Sequence, residues 1–373
     1  MSDGETQRDA GAAEDASRPD AAVPVPGRTY VYVGGYSDGD PFRMYSIDRS
    51  TLALTEVQQS ADVGPQASWI CPSADGNMLY VANESDAEPG ITVLKVDRAT
   101  GIPGKVGHAP AIDKSFVFLS LDPTGKYLLA ASYNGGNVAV FPVKSDGTLG
   151  DRVDKKSFGS EAQAHAVRVH PTGKWAFVPT KGLDSVAQFS FGQDGKLTAN
   201  TPASFSRSSP LFDGPRHIAF SPDGRFAFVI LEIGDELTSL AVDASNGRLQ
   251  EVDRKPRLPG GFAAQDTGAH VLSHPNGKYV YGSNRGSNTI AAFSYDAAGK
   301  LTLLEHESSR GKTPRGFDID PSGQFMVVAN QLAEDGPGGS VTVFAIEPDG
   351  RLTARASPLT GLASPAAVSI VEF

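Results

Sequence analysis

The sequence predicts an all-β fold, a seven-bladed β-propeller built from four-stranded antiparallel blades. Three observations indicate this fold: a turn motif that recurs along the chain, apolar segments of strand length around each copy, and strand-like segments at both termini. The motif occupies residues 73–76, 122–125, 170–173, 221–224, 274–277 and 320–323. Its final glycines lie 49, 48, 51, 53 and 46 residues apart, a spacing typical of propeller blades.

Each copy of the motif predicts a type I turn between two strands. It begins with Ser, Asp or His, usually continues with Pro and ends with Gly, which are the residue types that this turn prefers. The segments after the turn are rich in aromatic and β-branched residues, as strands are. Examples of the second strand are 225–231, 278–283 and 324–329; of the third, 137–141, 185–189, 289–293 and 340–344; of the fourth, 146–149, 194–197 and 349–352.

The two termini are expected to complete the seventh blade together. Residues 364–373 have the pattern of an innermost strand, and residues 29–35, 44–47 and 54–57 supply the other three strands. Sharing one blade closes the ring and removes its open edges. Residues 29–373 are therefore interpreted as one domain with about 49 residues per blade.

The composition limits the partners and the compartment of the protein. A net charge of −10 opposes a broad nucleic-acid surface, which needs clustered Lys and Arg. Residues 1–28 are rich in Ala, Asp, Glu, Gly and Pro and are predicted to form a disordered acidic tail. No apolar stretch is long enough to span a membrane. We expect a cytoplasmic monomer, with export of a processed precursor, periplasmic or lipid-anchored, as the alternative.

The turn glycine also serves as a ruler, because the two strands that flank it are antiparallel. Residues equally far before and after the glycine therefore lie at the same end of the sheet. The residues eight positions before the glycines are Ser68, Val117, His165, Arg216, Ala269 and Arg315, and those eight positions after are Glu84, Tyr133, Lys181, Glu232, Arg285 and Gln331. His217 and His270 come one residue after members of the first set.

These residues are predicted to converge on one mouth of the central channel, because innermost strands line that channel. Arg216, Arg285 and Arg315 occupy matched positions in three blades, and clustered like charges need an anion or carboxylates to offset their repulsion. The predicted substrate-binding residues are His217, His270, Arg315, Gln331, Glu84 and Tyr133. For Tyr133 and Lys181 a solvated strand end is the preferred explanation.

The sequence does not favour other types of site. His170 and His274 lie in the turns, at the opposite end from the predicted pocket, and are interpreted as turn-forming residues. No His, Cys, Asp or Glu grouping has metal-ligand spacing, and no Gly-x-Ser-x-Gly nucleophile motif occurs. We therefore expect neither a metal nor another cofactor. Cys71, the single cysteine, is interpreted as a small buried residue of an inner strand.

Several segments around the predicted pocket form a characteristic set. The most specific is Gly-Pro-Arg-His at residues 214–217, with Glu232 sixteen residues after its Arg. The others are residues 80–84, 132–136, 163–165, 283–285, 314–317 and 330–331. With these segments, residues 29–373 resemble the seven-bladed propeller lactonases, the family that contains the propeller type of 6-phosphogluconolactonase and the fungal 3-carboxy-cis,cis-muconate lactonizing enzyme.

The resemblance implies that His165, Arg216, Glu232 and Arg285 are the catalytic residues. One departure stands beside His165. Members of the family usually read Pro-Asp-Leu-Gly after the strand that follows the third turn, whereas this chain reads Pro-Thr-Lys-Gly at residues 179–182. A carboxylate is lost and a cation is gained, which points to a changed substrate preference.

The resemblance further implies metal-independent hydrolysis of a sugar-acid lactone such as 6-phosphogluconolactone. His165 suits the role of general base because the pKa of histidine lies near neutrality, while Glu232 either serves as the base instead or orients Arg216. The arginines would hold the acidic group of a small anionic lactone or polycarboxylate. Two alternatives stay open: cycloisomerisation of a carboxymuconate by the same groups, and a non-catalytic propeller that binds a partner through its rim.

Overall fold

The computed structural model describes residues 28–39, 42–59, 62–111, 114–206 and 212–373. Within these ranges the chain forms 29 β-strands and two short 3-10 helices, η1 (Ser160–Ala162) and η2 (Lys181–Leu183). The described part contains no helix that is long and apolar enough to cross a membrane. The predicted acidic tail lies outside the described residues, apart from Arg28.

The strands are named here in chain order. The first eleven are β1 (Thr29–Gly35), β2 (Phe42–Ile47), β3 (Leu54–Gln59), β4 (Ala67–Pro72), β5 (Met78–Asn83), β6 (Gly90–Val96), β7 (Pro103–Pro110), β8 (Phe118–Leu121), β9 (Tyr127–Ser132), β10 (Asn137–Pro142) and β11 (Asp154–Ser157). The next eight are β12 (Arg168–Val169), β13 (Trp175–Thr180), β14 (Ser185–Phe191), β15 (Leu197–Phe205), β16 (Pro215–Phe220), β17 (Phe226–Leu231), β18 (Glu236–Val242) and β19 (Leu249–Pro256). The last ten are β20 (Gly268–Ser273), β21 (Tyr279–Asn284), β22 (Thr289–Tyr295), β23 (Leu301–Ser308), β24 (Gly311–Ile319), β25 (Phe325–Ala333), β26 (Gly339–Ile346), β27 (Leu352–Ala354), β28 (Leu359–Leu362) and β29 (Pro365–Glu372).

The strands form seven antiparallel sheets, which are the blades of the predicted propeller. Blades 1 to 7 have the strand orders β29-β1-β2-β3, β4-β5-β6-β7, β8-β9-β10-β11, β12-β13-β14-β15, β16-β17-β18-β19, β20-β21-β22-β23 and β24-β25-β26-β27. The seven-bladed fold is thereby confirmed. Blade 7 differs from the expected four strands, because β28 also pairs with β26.

The two termini share blade 1, as predicted. Strand β1 pairs antiparallel with β29, from Thr29 opposite Glu372 to Gly34 opposite Ala367. Strand β29 in turn contacts both β24 of blade 7 and β4 of blade 2. The last strand of the chain therefore joins the ring of innermost strands and leaves no open edge between the termini.

The six recurring turns have the predicted geometry and also connect neighbouring blades. In each turn the glycine N–H donates to the carbonyl of the first motif residue at 2.8–3.0 Å, with a glycine φ of 69–74° that side chains with a Cβ rarely adopt. Nε2 of His170 hydrogen-bonds the carbonyl of Gly224 at 2.7 Å, and Nε2 of His274 bonds that of Gly323 at 2.8 Å. Both histidines thus tie one turn to the next, which supports their interpretation as turn residues.

The hydrophobic core lies between the blades. Seven clusters of buried side chains occur in the described part of the chain, one at each junction of two neighbouring blades. Phe118 and Phe228 are fully buried in two of them, and Cys71 is buried in a third, as predicted. Truncating a buried Phe to Ala costs about 3–5 kcal/mol. These junctions fix the innermost strands and hence the side chains at the channel mouth.

Candidate active site

A β-bulge recurs where the innermost strands reach the channel mouth opposite the turns. The pairing of β16 with β17 shifts by one residue at Arg216. The same shift occurs at Ser68, between β4 and β5, and at Arg315, between β24 and β25. A bulge re-aims the side chains around it. In blade 5 it lets two consecutive residues, Arg216 and His217, take part in the same cluster instead of pointing to opposite faces of the sheet.

Arg216 is the centre of this cluster and is only 2% exposed. Its Nε donates to Oε2 of Glu232 at 3.0 Å, and its Nη1 donates to Nε2 of His217 at 3.1 Å and to the carbonyl of Ala269. Its Nη2 makes no hydrogen bond with any described residue. Burial, with Arg285 and Arg315 close by, lowers the pKa of Arg216 to about 9, so the guanidinium is still charged at neutral pH.

Glu232 lies at the start of the loop after β17, and its carboxylate pairs with three cations. Besides Arg216, its carboxylate meets Nη2 of Arg285 at 3.3 Å and Nζ of Lys181 at 3.4 Å. Burial alone would raise the pKa of Glu232, but the three cations outweigh burial and hold the pKa below its ordinary value. The carboxylate is therefore ionised at neutral pH. Arg285 also donates to the backbone carbonyls of Thr267 and Gly268, which fixes it beside Glu232.

His165 lies against His217, three residues after the end of η1. Its ring contacts the rings of Tyr133 and His217, with centroids 5.3 and 5.1 Å apart. Nδ1 is buried and has no hydrogen-bond partner among the described residues, which leaves Nε2 as the nitrogen that can meet a water or a substrate. Burial and the charges of Arg216, Arg315 and Arg285 lower the pKa of His165 well below its ordinary value. The imidazole is therefore neutral near pH 7.

His217 and His270 form a buried pair deeper in the channel. Their Nδ1 atoms lie 2.8 Å apart, so one donates and the other accepts. The guanidinium of Arg216 can only donate, so Nε2 of His217 accepts and the proton of this neutral ring sits on Nδ1. His270 then accepts at Nδ1 and carries its own proton on Nε2. Burial and the nearby cations hold the pKa of both rings well below the ordinary value, in agreement with two neutral imidazoles.

Tyr36 links two further residues of the mouth, Glu84 and Arg315. Its hydroxyl donates to Oε2 of Glu84 at 2.6 Å, and the guanidinium of Arg315 lies over its ring, 4.8 Å from the centroid. Burial raises the pKa of Tyr36, which keeps the hydroxyl protonated. Gln331 lies further out and makes a long contact, 3.5 Å, from Nε2 to Oγ of Ser364.

Positive charge exceeds negative charge in this cluster. Four cations meet two carboxylates: Lys181, Arg216, Arg285 and Arg315 face Glu84 and Glu232. All six side chains are at least half-buried. Water screens the excess charge poorly at such a place, so the mouth favours a ligand with one or two negative charges.

The structure brings most of the predicted site residues together. His165, Arg216, Glu232 and Arg285 form one continuous cluster with His217, and Tyr133 joins it because its hydroxyl accepts from Nζ of Lys181 at 2.9 Å. Some of the remaining predicted residues reach it indirectly. His270 does so through His217 and Arg315 through its electrostatic effect on Arg216 and His165, whereas Glu84 is hydrogen-bonded to Tyr36 and Gln331 contacts Ser364.

The sequence reasoning missed Tyr36 and undervalued Lys181. Tyr36 follows β1, the second strand of blade 1, and therefore stands in the place that the turn ruler identified in every other blade. The ruler could not be applied there, because the first two strands of blade 1 come from opposite ends of the chain and no turn joins them. Lys181 fits a solvated strand end by its residue type, yet its side chain is 13% exposed and pairs with Glu232.

Comparisons with known proteins agree with this fold. A family model described as "Lactonase, 7-bladed beta-propeller" matches residues 30–370. The 6-phosphogluconolactonase of Bacillus subtilis (strain 168) is 28% identical over 334 residues, which cover 86% of this chain and 93% of that protein. That of Pectobacterium atrosepticum is 32% identical over 279 residues, covering 74% and 81%. Among solved structures, the periplasmic gluconolactonase of Pseudomonas aeruginosa is similar with a TM-score of 0.83 and 27% identity, covering 92% of this chain and 99% of that one.

Proposed function

This chain belongs to the lactonase family of seven-bladed β-propellers, and on that premise we propose that it hydrolyses a sugar-acid lactone with an anionic group, such as 6-phosphogluconolactone. The observation that carries the proposal is the excess of cations around Arg216, next to a neutral His165. A phosphate group would supply the negative charge that the cluster lacks. The names of the relatives favour hydrolysis over cyclisation of a carboxymuconate.

His165 is the proposed general base. A base must be deprotonated before the reaction, and burial beside Arg216 keeps His165 neutral. The same charges make the free imidazole a weak base. A bound anion would offset the charges of Arg285 and Arg315 and raise the pKa of His165 towards the working pH. Substrate binding would thus make His165 a stronger base for the hydrolysis of that substrate.

Arg216 is proposed to stabilise the oxyanion. Its Nη2 is the one guanidinium nitrogen without a hydrogen bond to a described residue, while Nε and Nη1 are fixed by Glu232, His217 and Ala269. A donor that is held in place before the reaction stabilises developing charge at little reorganisation cost. Arg285 and Arg315 would hold the acidic group of the substrate through paired hydrogen bonds.

Glu232 is proposed to position the cations rather than act as the base. Its carboxylate accepts from Arg216 and pairs with Arg285 and Lys181, and its lowered pKa makes it a poorer proton acceptor than His165. The sequence predicted that His217 contacts the substrate. In this proposal His217 instead supports Arg216, to which its ring is hydrogen-bonded.

In the proposed reaction, a water molecule adds to the lactone carbonyl carbon while one of its protons passes to Nε2 of His165. The tetrahedral intermediate carries its negative charge on the former carbonyl oxygen, near Nη2 of Arg216. The ring C–O bond then breaks, and the leaving oxygen takes the proton back from His165. The product is a hydroxy acid, which releases one proton at neutral pH.

A panel of lactones tests the proposal. Wild type, His165→Ala and the control His108→Ala, which alters an outer-strand histidine on β7, are assayed with 6-phosphogluconolactone, glucono-δ-lactone and a carboxymuconate. We expect the phosphorylated lactone to be the best substrate and His165→Ala alone to lose turnover, by about 10²–10⁴-fold. Equal rates in the two variants would refute the role of His165. No turnover of any compound by wild type would instead favour the non-catalytic propeller.

The compartment and the oligomeric state stay predictions. We propose a cytoplasmic monomer; the similar gluconolactonase of Pseudomonas aeruginosa, which is periplasmic, supports the alternative of export. Cell fractionation followed by light scattering of the purified protein checks both statements.

A further inference from the structure

A second cavity lies in the central channel, at the end formed by the turns and away from the cluster around Arg216. Its volume is about 450 Å³. Trp69, Leu272 and Phe317 contribute apolar walls, and residues of the turns at 73–76 and 122–125 form part of its rim. We call this cavity the turn-side chamber. It is large enough for a small organic molecule.

The guanidinium of Arg168 in this chamber forms no ion pair with a described carboxylate, although Asp318 is close enough to act on it electrostatically. No hydrogen bond or ion pair joins Arg168 to another described residue, and its Nε is buried without any partner. The ring of Phe118 is its neighbour, 5.2 Å from the guanidinium carbon. Burial of an arginine costs free energy unless an anion or several acceptors compensate. Arg168 is therefore a half-buried cation whose guanidinium has no hydrogen-bond or ion-pair partner among the described residues.

Two carboxyl groups also line the chamber, Asp122 in a turn and Asp318 on β24, and neither forms an ion pair with Arg168. Asp318 accepts backbone N–H groups of Ile319 and Ile370, both at 2.9 Å. Burial raises the pKa of Asp318 to about 7, while the charge of Arg168 acts in the opposite direction. Ser369 is 1% exposed and forms part of the chamber wall, and its buried Oγ has no hydrogen-bond partner among the described residues.

His270 gives the chamber a further donor. Its Nδ1 accepts from His217, so its proton sits on Nε2, and this nitrogen makes no hydrogen bond with a described residue. The ring borders the chamber and packs against Trp69, with centroids 5.2 Å apart. The His217–His270 pair thus forms the partition between the turn-side chamber and the cluster around Arg216.

We propose that the turn-side chamber is a second binding site, specific for a small organic monocarboxylate with an apolar or aromatic body. The carboxylate accepts hydrogen bonds from Arg168, with Ser369 and His270 as further donors. The body of the ligand lies against Trp69, Leu272 and Phe317. The guanidinium of Arg168, which has no ion-pair partner among the described residues, matches a single carboxylate, whereas the cluster around Arg216 has an excess of positive charge that suits a phosphate.

Trp69 provides the readout, because the chain contains two tryptophans and the other, Trp175, lies on β13 outside the chamber. In a Trp175→Phe background, the fluorescence of Trp69 is followed while benzoate or phenylacetate is added. We expect a saturable change that benzyl alcohol, which has no carboxylate, does not produce. Arg168→Gln weakens binding at least tenfold, the loss expected for a charge-assisted contact, whereas the surface variant Arg225→Gln binds as wild type does.

Two further variants distinguish binding in the turn-side chamber from misfolding of Arg168→Gln and from binding at the other site. Ala74→Phe narrows the rim at an exposed position and weakens binding without touching Arg168, which keeps the test valid if Arg168→Gln does not fold. Arg285→Ala leaves binding of the probes unchanged, because Arg285 lies in the other site. The proposal is overturned if the probes give no saturable change at millimolar concentration. Binding that Arg285→Ala abolishes, or that Arg168→Gln and Ala74→Phe both leave intact, overturns it equally.

Discussion

Glu232→Gln is the substitution that best separates positioning from base catalysis. The change keeps the size of the side chain and one oxygen that can accept from Nε of Arg216. In the wild-type protein this nitrogen lies 3.0 Å from the carboxylate. It removes the negative charge that Arg285 and Lys181 approach at 3.3 and 3.4 Å. The variant therefore leaves a cluster of cations with a single carboxylate, Glu84, on the far side of the mouth.

The expected cost follows from the burial of these groups. Removing one partner of a fully buried ion pair costs about 3–5 kcal/mol. Glu232 is 15% exposed and Arg216 is 2% exposed, and the amide retains one hydrogen bond, so we expect a loss of about 2–4 kcal/mol in the free energy of unfolding. The control Glu347→Gln breaks a half-exposed pair with Arg355 and should cost less than about 1 kcal/mol.

Denaturant unfolding measures the stability of both variants, and the pH profile of kcat/KM measures the catalytic role. If Glu232 positions Arg216, Glu232→Gln lowers kcat, and the acid limb of the profile remains because it belongs to His165. If Glu232 is the base, the acid limb disappears and the rate falls by about 10²–10⁴-fold. A lost acid limb, or a stability change no larger than that of Glu347→Gln, would refute the positioning role.

Three further predictions concern the same mouth. Arg216→Ala should lower kcat of the true substrate by about 10²–10³-fold, the loss typical of an oxyanion donor, while the exposed Arg225→Ala keeps the wild-type rate. Neutral His165 is the active form, so kcat/KM should fall as the pH drops through the pKa of His165, which burial and Arg216 hold below the ordinary value. Arg216→Gln raises this pKa and should move the acid limb of the residual activity to higher pH. An unmoved acid limb would contradict the assignment of His165 as the base. The preference for a phosphorylated over an unphosphorylated lactone is measured as the ratio of their kcat/KM values, and Lys181→Leu should lower this ratio by about tenfold. The control Lys196→Leu, at an exposed position, should leave the ratio unchanged.

The repeat made most of the fold and much of the site predictable from the sequence. A turn of fixed geometry joins the first two strands of six blades, so counting eight residues from its glycine reached His165, Arg216, Glu232 and Arg285 without any catalytic motif. The same reasoning failed at Tyr36, because blade 1 has no such turn. Local patterns predict a position only where the chain between two strands is continuous.

Features that depend on side-chain packing could not be predicted. The bulge at Arg216 brings Arg216 and His217 into one cluster, whereas an unbroken strand would point them to opposite faces. The partnership of Lys181 with Glu232 joins blades 4 and 5 through side chains alone, and no spacing in the sequence encodes it. The extra strand β28 likewise arises from a pairing within blade 7 that has no counterpart in the other repeats.

The central claim is that the cation-rich mouth around Arg216 hydrolyses an anionic lactone with His165 as the base. The most direct test is a pH-stat assay of 6-phosphogluconolactone, since each turnover releases one proton. With wild type, proton release should exceed the spontaneous rate severalfold or more. With correctly folded His165→Ala it should fall close to the spontaneous rate. Wild-type release at the spontaneous rate, or equal release by the two proteins, would contradict the claim.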